Sequence, residues 1–99
     1  MSFLVKYTLK DPAEFDHQVT AMAALVTALK AAGIDGLDYS CFSTGEKTEF
    51  VGILEFADDD AKQGFLQSEA FAAYKEKVGP TFANPPETQD IFAIASTKD

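Results

Sequence analysis

One histidine and one cysteine, His17 and Cys41, are all that the chain's 99 residues offer as an imidazole base or a thiol nucleophile. An imidazole titrates near neutrality and suits proton transfer, provided that it faces a substrate. On helical spacing His17 lies nearly opposite the apolar residues of its own helix, alongside Ala21, Ala24 and Ala28. A solvated or subunit-contacting residue is therefore the competing reading to a catalytic base. Cys41 sits mid-strand in Tyr39-Ser40-Cys41-Phe42, where a thiol is more simply a small buried hydrophobe than a nucleophile. Carboxylates cluster only at Asp58-Asp59-Asp60, a run that suits the positive end of a helix better than a metal ion. With a single His and a single Cys, no metal site is expected. Gly33, Gly36, Gly45 and Gly52 lack the strand–loop–helix spacing of a phosphate cradle, so no nucleotide, flavin or other cofactor is expected.

Hydroxyl and aromatic side chains are the better candidates. Tyr7, Asp38, Ser40, Glu55 and Tyr74 are the polar groups expected to face a cavity. Tyr7 and Tyr74 would hold a planar or phenolic ligand by stacking and one hydrogen bond each. Tyr74 is the first candidate for an orienting or proton-transfer group, Tyr7 and Ser40 come next, and His17 last. Residues 58–82 place Phe65, Phe71 and Phe82 around Tyr74, an aromatic set that lines a pocket or else fills a core. For each tyrosine the alternative is a core aromatic whose hydroxyl reaches the rim.

Composition narrows the partners. The formal charge is −8, and every one of the eight cationic side chains is lysine. A nucleic-acid surface needs a clustered basic face and usually arginine forks, so nucleic acid is excluded. Anionic membrane surfaces are excluded on the same ground. Residues 1–11 carry Lys6 and Lys10 inside a short apolar run and match no signal peptide, and no stretch approaches a membrane span. A lone cysteine forms no intrachain disulfide. A cytoplasmic protein is expected. An apolar fraction of 46% with nine phenylalanines supports one cored domain over residues 1–99.

The elements that position these groups follow from periodicity. Phe3, Val5, Tyr7 and Leu9 alternate with Leu4, Lys6 and Thr8, a period-two strand. Asp11-Pro12-Ala13-Glu14 opens a helix as a capping-box-like start. The apolar stripe of that helix is Phe15, Val19, Met22, Val26 and Leu29, and Gly33 stops it. Strands at about residues 36–43 and 49–57 are joined by a turn at Thr44-Gly45-Glu46-Lys47. Asp58-Asp59-Asp60 caps a second helix, Ser68 breaks it, and Gly79-Pro80 ends it. Asn84-Pro85-Pro86 is a stiff connector to a last strand at residues 89–96.

The order strand–helix–strand–strand–helix–strand is the α+β, ferredoxin-like βαββαβ sandwich, with an antiparallel four-stranded sheet and helices on one face. The opposite face should then be polar, yet Leu4, Val51, Ile53, Ile91 and Ala93 lie there. A second copy, packed sheet to sheet as a homodimer, is the expected cover. Glu55 on that face is positioned for a cross-subunit contact to Lys6.

The run Phe65-Leu66-Gln67-Ser68-Glu69-Ala70-Phe71-Ala72-Ala73-Tyr74 resembles the dimeric α/β-barrel superfamily, most closely its antibiotic-biosynthesis-monooxygenase-like members. In that family the helix reads His-Leu-x-Ser-x-x-Phe. The resemblance implies a ferredoxin-like unit dimerised through its sheet, with a pocket between sheet and helices. It implies structural positions for Ser68 and Phe71 and a pocket-facing Tyr74. This chain departs from the pattern at Phe65, where many relatives carry histidine. It also has no tryptophan, so the Asn–Trp–His set of the haem-degrading members is missing. The activity implied is cofactor-independent oxygenation of a small phenolic, quinol or polyketide-like substrate. The alternative is a non-catalytic dimeric binding or stress-related module whose pocket is vestigial or holds a small apolar ligand; a small aromatic ligand is one such partner. An interaction-only protein is favoured if Phe15, Phe56, Phe65 and Phe71 fill the space between sheet and helices.

Overall fold

Phe3, Val5 and Tyr7 alternate onto one face of the first strand, β1 (Ser2–Thr8), and that face carries the core. The computed structural model describes residues 1–97. After β1 a single 3-10 turn (Pro12–Glu14) leads into helix α1 (Phe15–Ala32). Strands β2 (Leu37–Ser43) and β3 (Glu49–Phe56) follow, then helices α2 (Asp59–Leu66) and α3 (Glu69–Val78), and strand β4 (Glu87–Ile91). The sheet is open, antiparallel throughout and ordered β2-β3-β1-β4. This is the expected ferredoxin-like α+β arrangement. No helix among the described residues is long and apolar enough to cross a membrane.

Local chemistry sets the boundaries. Asp11 accepts from the Ala13 N–H at 2.9 Å, and Asp58 accepts from the Ala61 N–H at 2.9 Å. Ser68 accepts from the Phe71 N–H at 3.1 Å while its hydroxyl donates to the Phe65 carbonyl at 2.7 Å. One serine thus closes α2 and caps α3, which is why the helix breaks there. Gly33 ends α1 at φ 65°, a left-handed conformation that suits glycine.

Two expectations shift. The buried side of α1 is Gln18, Ala21, Met22, Leu25 and Leu29, and Val19 is 45% exposed. The stripe is rotated because α1 packs against α3 as well as over the sheet. Small Ala21 faces inward, and Gln18 meets Tyr74. The last strand also ends five residues early. Ile91 pairs with Ser2, the first residue of β1, so residues 92–97 have no described strand beside them. Phe92 and Ile94, which fall within the last strand expected at residues 89–96, are 84% and 98% exposed.

Candidate functional site

A cavity of about 760 Å³ opens between the sheet and α2/α3. Its volume falls in the range of small-molecule sites, roughly 300–1,000 Å³. Phe3, Val5, Leu54 and Phe56 line it from the sheet, and Phe65 and Phe71 line it from the helices. The segment after α3 closes one end. It is tied along β1 by the Lys10 N–H to the Thr81 carbonyl at 2.9 Å and the Ala83 N–H to the Thr8 carbonyl at 2.8 Å. That pinning lays Phe82 on Tyr7, ring centroids 5.8 Å apart. Pro85 and Pro86 then carry the chain past the mouth with few accessible conformations. The aromatic residues near the break therefore line space without filling it. Phe65 lies tilted against Phe71, ring centroids 4.5 Å apart, and meets Phe56 and Tyr39, whereas Phe15 is spent elsewhere, against Phe50 at 5.4 Å.

All three tyrosines of the chain converge here. Tyr7 and Tyr74 line the cavity, and the Tyr7 hydroxyl shares a hydrogen bond with that of Tyr39. Gly52 makes room for this pair. A Cβ there would lie 3.1 Å from a Tyr39 ring carbon and 3.3 Å from a Tyr7 ring carbon. Tyr74 accepts from the Gln18 side-chain amide, Nε2 to Oη 2.7 Å. Gln18 is fully buried, and its Oε1 has no hydrogen-bond partner among the described residues. Because Tyr74 Oη accepts from Gln18, its own proton is available to a second acceptor.

Burial fixes the protonation of this cluster. It pushes the Tyr7 phenol up to about 12, an effect partly offset by the Tyr39 hydrogen bond. It drives Tyr39 further up, reinforced by the neighbouring Tyr7, and raises Tyr74 against the opposing hydrogen bond from Gln18. Burial also raises the Cys41 thiol, the opposite of what a nucleophile needs. At neutral pH the three phenols are uncharged hydrogen-bond donors, suited to stabilising an oxyanion and unsuited to taking a proton.

Among the described residues, the charged groups at the cavity are all of one sign: Lys10, Lys62 and Lys75 line it, and no aspartate or glutamate does. Lys62 Nζ lies 5.3 Å from the centroid of Phe3, and Lys75 Nζ lies 4.6 Å from that of Phe71. A second, smaller cavity of about 310 Å³ sits beyond Tyr39, between the end of α1 and β2. There Lys30 and Asp38 are both present among Val26, Leu29, Ile34 and Leu37.

Of the residues singled out from sequence, Tyr74, Tyr7, Phe65, Phe71 and Phe82 come together at the larger cavity. His17 and Ser40 do not. His17 is exposed, its Nε2 3.2 Å from the Lys77 carbonyl, in the groove between α1 and α3. Ser40 pairs with Ile53 and is exposed on the face turned away from the helices, as is Glu55; Asp38 pairs with Glu55 on the edge strand β2, where it is exposed and also borders the smaller cavity. In β2 it is Leu37, Tyr39 and Cys41 that face inward, so the reading of Ser40 as a cavity group was one residue out of phase. Tyr39, Gln18 and the three lysines were missed. A glycine between Val51 and Ile53, in a strand otherwise filled with large side chains, was the available signal for a ring pair above it. No group of three or more His, Cys, Asp or Glu that could hold a metal occurs among the described residues.

No protein-family model and no curated protein matches the chain by sequence. Solved structures do match in fold. A candidate antibiotic biosynthesis monooxygenase from Caulobacter crescentus superposes with TM-score 0.81 at 21% identity, over 95% of this chain and 89% of that one. A second so described, from Bacteroides thetaiotaomicron, gives TM-score 0.82 at 19% identity, over 100% and 93%. A third, from Nitrosomonas europaea, gives 0.75 at 12%, over 89% and 84%. Structures that carry the antibiotic-biosynthesis-monooxygenase name therefore share this chain's fold over nearly its whole length.

Proposed function

We propose that the larger cavity is the active site of a cofactor-independent monooxygenase acting on a small phenolic, quinol or polyketide-like aromatic. The observation that carries this reading is a cavity of about 760 Å³, walled by aromatics, into which the neutral hydroxyls of Tyr7 and Tyr74 face. Structures of the same fold named as candidate antibiotic biosynthesis monooxygenases support the same activity class. An anthrone-type substrate illustrates the balance. Its enol loses a proton to solvent, and the resulting oxyanion makes the central carbon electron-rich. That carbon reduces dioxygen and takes up both oxygen atoms as a hydroperoxide. Its remaining C–H proton then leaves as the O–O bond breaks, so one oxygen departs as water, the other stays as a carbonyl where the methylene stood, and the substrate supplies every electron. The tyrosines donate hydrogen bonds to the oxyanion, and the apolar walls hold the rings and exclude water.

Oxygen uptake with a panel of quinols and anthrones tests the reading. The parent is expected to consume oxygen, Tyr74→Phe to be slower by roughly tenfold or more, and His17→Ala to match the parent. No uptake above background across the panel contradicts it. A second reading, a non-catalytic module that binds a small aromatic ligand, is favoured by one observation. The cavity offers no base: its tyrosines stay protonated, and Phe65 stands where many relatives carry histidine.

A homodimer through the free sheet face, in the cytoplasm, belongs to the same proposal. Leu4, Val51 and Ile53 are half-buried on that face, and Phe42 beside them is 52% exposed. Sedimentation at micromolar concentration is expected to give a dimer, and a monomer contradicts the proposal.

A further inference from the structure

The chain is strongly acidic, yet among the described residues the charged groups that border the larger cavity are all positive. Three of its eight lysines, Lys10, Lys62 and Lys75, line that cavity, and no described carboxylate does. None of the three is in an ion pair within the described residues. Two are held in place by ring faces that themselves line the cavity, Lys62 over Phe3 and Lys75 over Phe71. An ammonium over an aromatic face keeps its stem on apolar surface and its charge toward water. The lysines come from three separate elements: the loop after β1, α2 and α3. They meet at one cavity, where a single helix would have shown only a solvated stripe.

Elsewhere the formal charge of −8 repels an anion. At this mouth an anion meets three unpaired ammonium groups, apolar walls below them, and phenolic donors beyond. The partition calls for a ligand with a flat apolar body and one anionic group.

We propose that the cavity selects aromatic carboxylates, with Lys10, Lys62 and Lys75 binding the carboxylate at the mouth while the ring system lies among Phe3, Phe71 and Phe82. This rests on the larger cavity being the ligand site and names the class of ligand it takes. It does not depend on turnover.

The test is calorimetric titration of the full chain with anthraquinone-2-carboxylate and with its neutral isostere, anthraquinone-2-carboxamide. Both are already oxidised at the central ring, so the experiment reads binding alone. The parent is expected to bind the carboxylate about tenfold more tightly than the amide, with the gap narrowing as salt is added. In Lys10→Gln/Lys62→Gln/Lys75→Gln the two compounds are expected to bind alike, with amide affinity unchanged. A control, Lys30→Gln/Lys47→Gln/Lys77→Gln, carries the same formal charge as that variant and is expected to keep the parent's preference. Equal binding of acid and amide by the parent overturns the proposal, as does a preference that survives the cavity-lysine variant or is lost in the control. Binding of neither compound overturns both this proposal and the ligand-cavity reading. A retained preference without oxygen uptake on anthrones overturns only the oxygenase reading.

Discussion

The two cavities lie on the same side of one sheet, with the linked hydroxyls of Tyr7 and Tyr39 between them. The smaller one, under the end of α1, has mainly aliphatic walls beside Tyr39, and is lined by one lysine and one aspartate. The larger one, under α2 and α3, has aromatic walls and three lysines with no carboxylate. The difference follows from the cover. α1 runs unbroken for 18 residues and offers Met22, Leu25 and Leu29 to the core. The other cover is broken at Ser68 into helices of 8 and 10 residues, and then continues without helix or strand through Asn84-Pro85-Pro86. A continuous helix nearly closes its half of the layer. A broken one leaves ligand-sized space, and the side chains bordering it are those that suit a ligand.

Alkali acts on the partition most strongly. Burial raises all three phenols, Tyr7 to about 12, above the value near 10 that an unfolded tyrosine keeps. The folded state therefore holds these protons more tightly than the unfolded chain does. Their contribution is complete below pH 10 and is lost as pH rises toward and through the folded values. Stability is expected to be flat up to about pH 10 and to fall between about 10 and 12, with tyrosinate absorbance appearing only with unfolding. Tyrosinate forming near pH 10 in a folded chain would mean that the phenols are wet.

Phe65→Ala comes next. Phe65 is 3% exposed and touches Tyr39, Phe56 and Phe71. Its truncation is expected to cost about 3 kcal/mol, the low end for a core aromatic because one side already faces open space. A denaturant midpoint change worth less than about 1 kcal/mol would show that the aromatic wall is not part of the core. Gly52→Val, which drives a side chain into the Tyr7 and Tyr39 rings, is expected to cost about 2 kcal/mol and to alter the near-ultraviolet circular dichroism of the tyrosines. A silent substitution would mean that the ring pair has slack.

The finest test concerns Gln18. Tyr74→Phe strips the amide of its acceptor and leaves both ends of a fully buried side chain unpaired, for a loss of about 1–2 kcal/mol. Gln18→Met removes the orphaned Oε1 along with the bond, and the Tyr74 hydroxyl keeps access to the cavity. It is expected to cost under about 1 kcal/mol. The reverse order, measured by thermal or denaturant unfolding, would place the anchor of the pair on Gln18.

The element order, the break at Ser68 and the aromatic lining were legible in the sequence because alternation, capping and helical spacing are local signals. Three things were not. β2 alternates among Leu37, Asp38, Tyr39, Ser40 and Cys41 with polar atoms on both sides, so its phase was set only by pairing with β3. The end of β4 depends on where β1 begins, a long-range condition. The lysines are far apart in sequence, and only the fold brings residues 10, 62 and 75 around one opening.

Backbone amide shifts recorded while the chain is titrated with anthraquinone-2-carboxylate address the contrast between the cavities most directly. Perturbations are expected at Phe3, Phe71, Tyr74 and Phe82, with Val26, Leu29 and Ile34 unmoved. Shifts centred on Val26, Leu29 and Ile34, or none at either cavity, would contradict the assignment of the larger cavity as the ligand site.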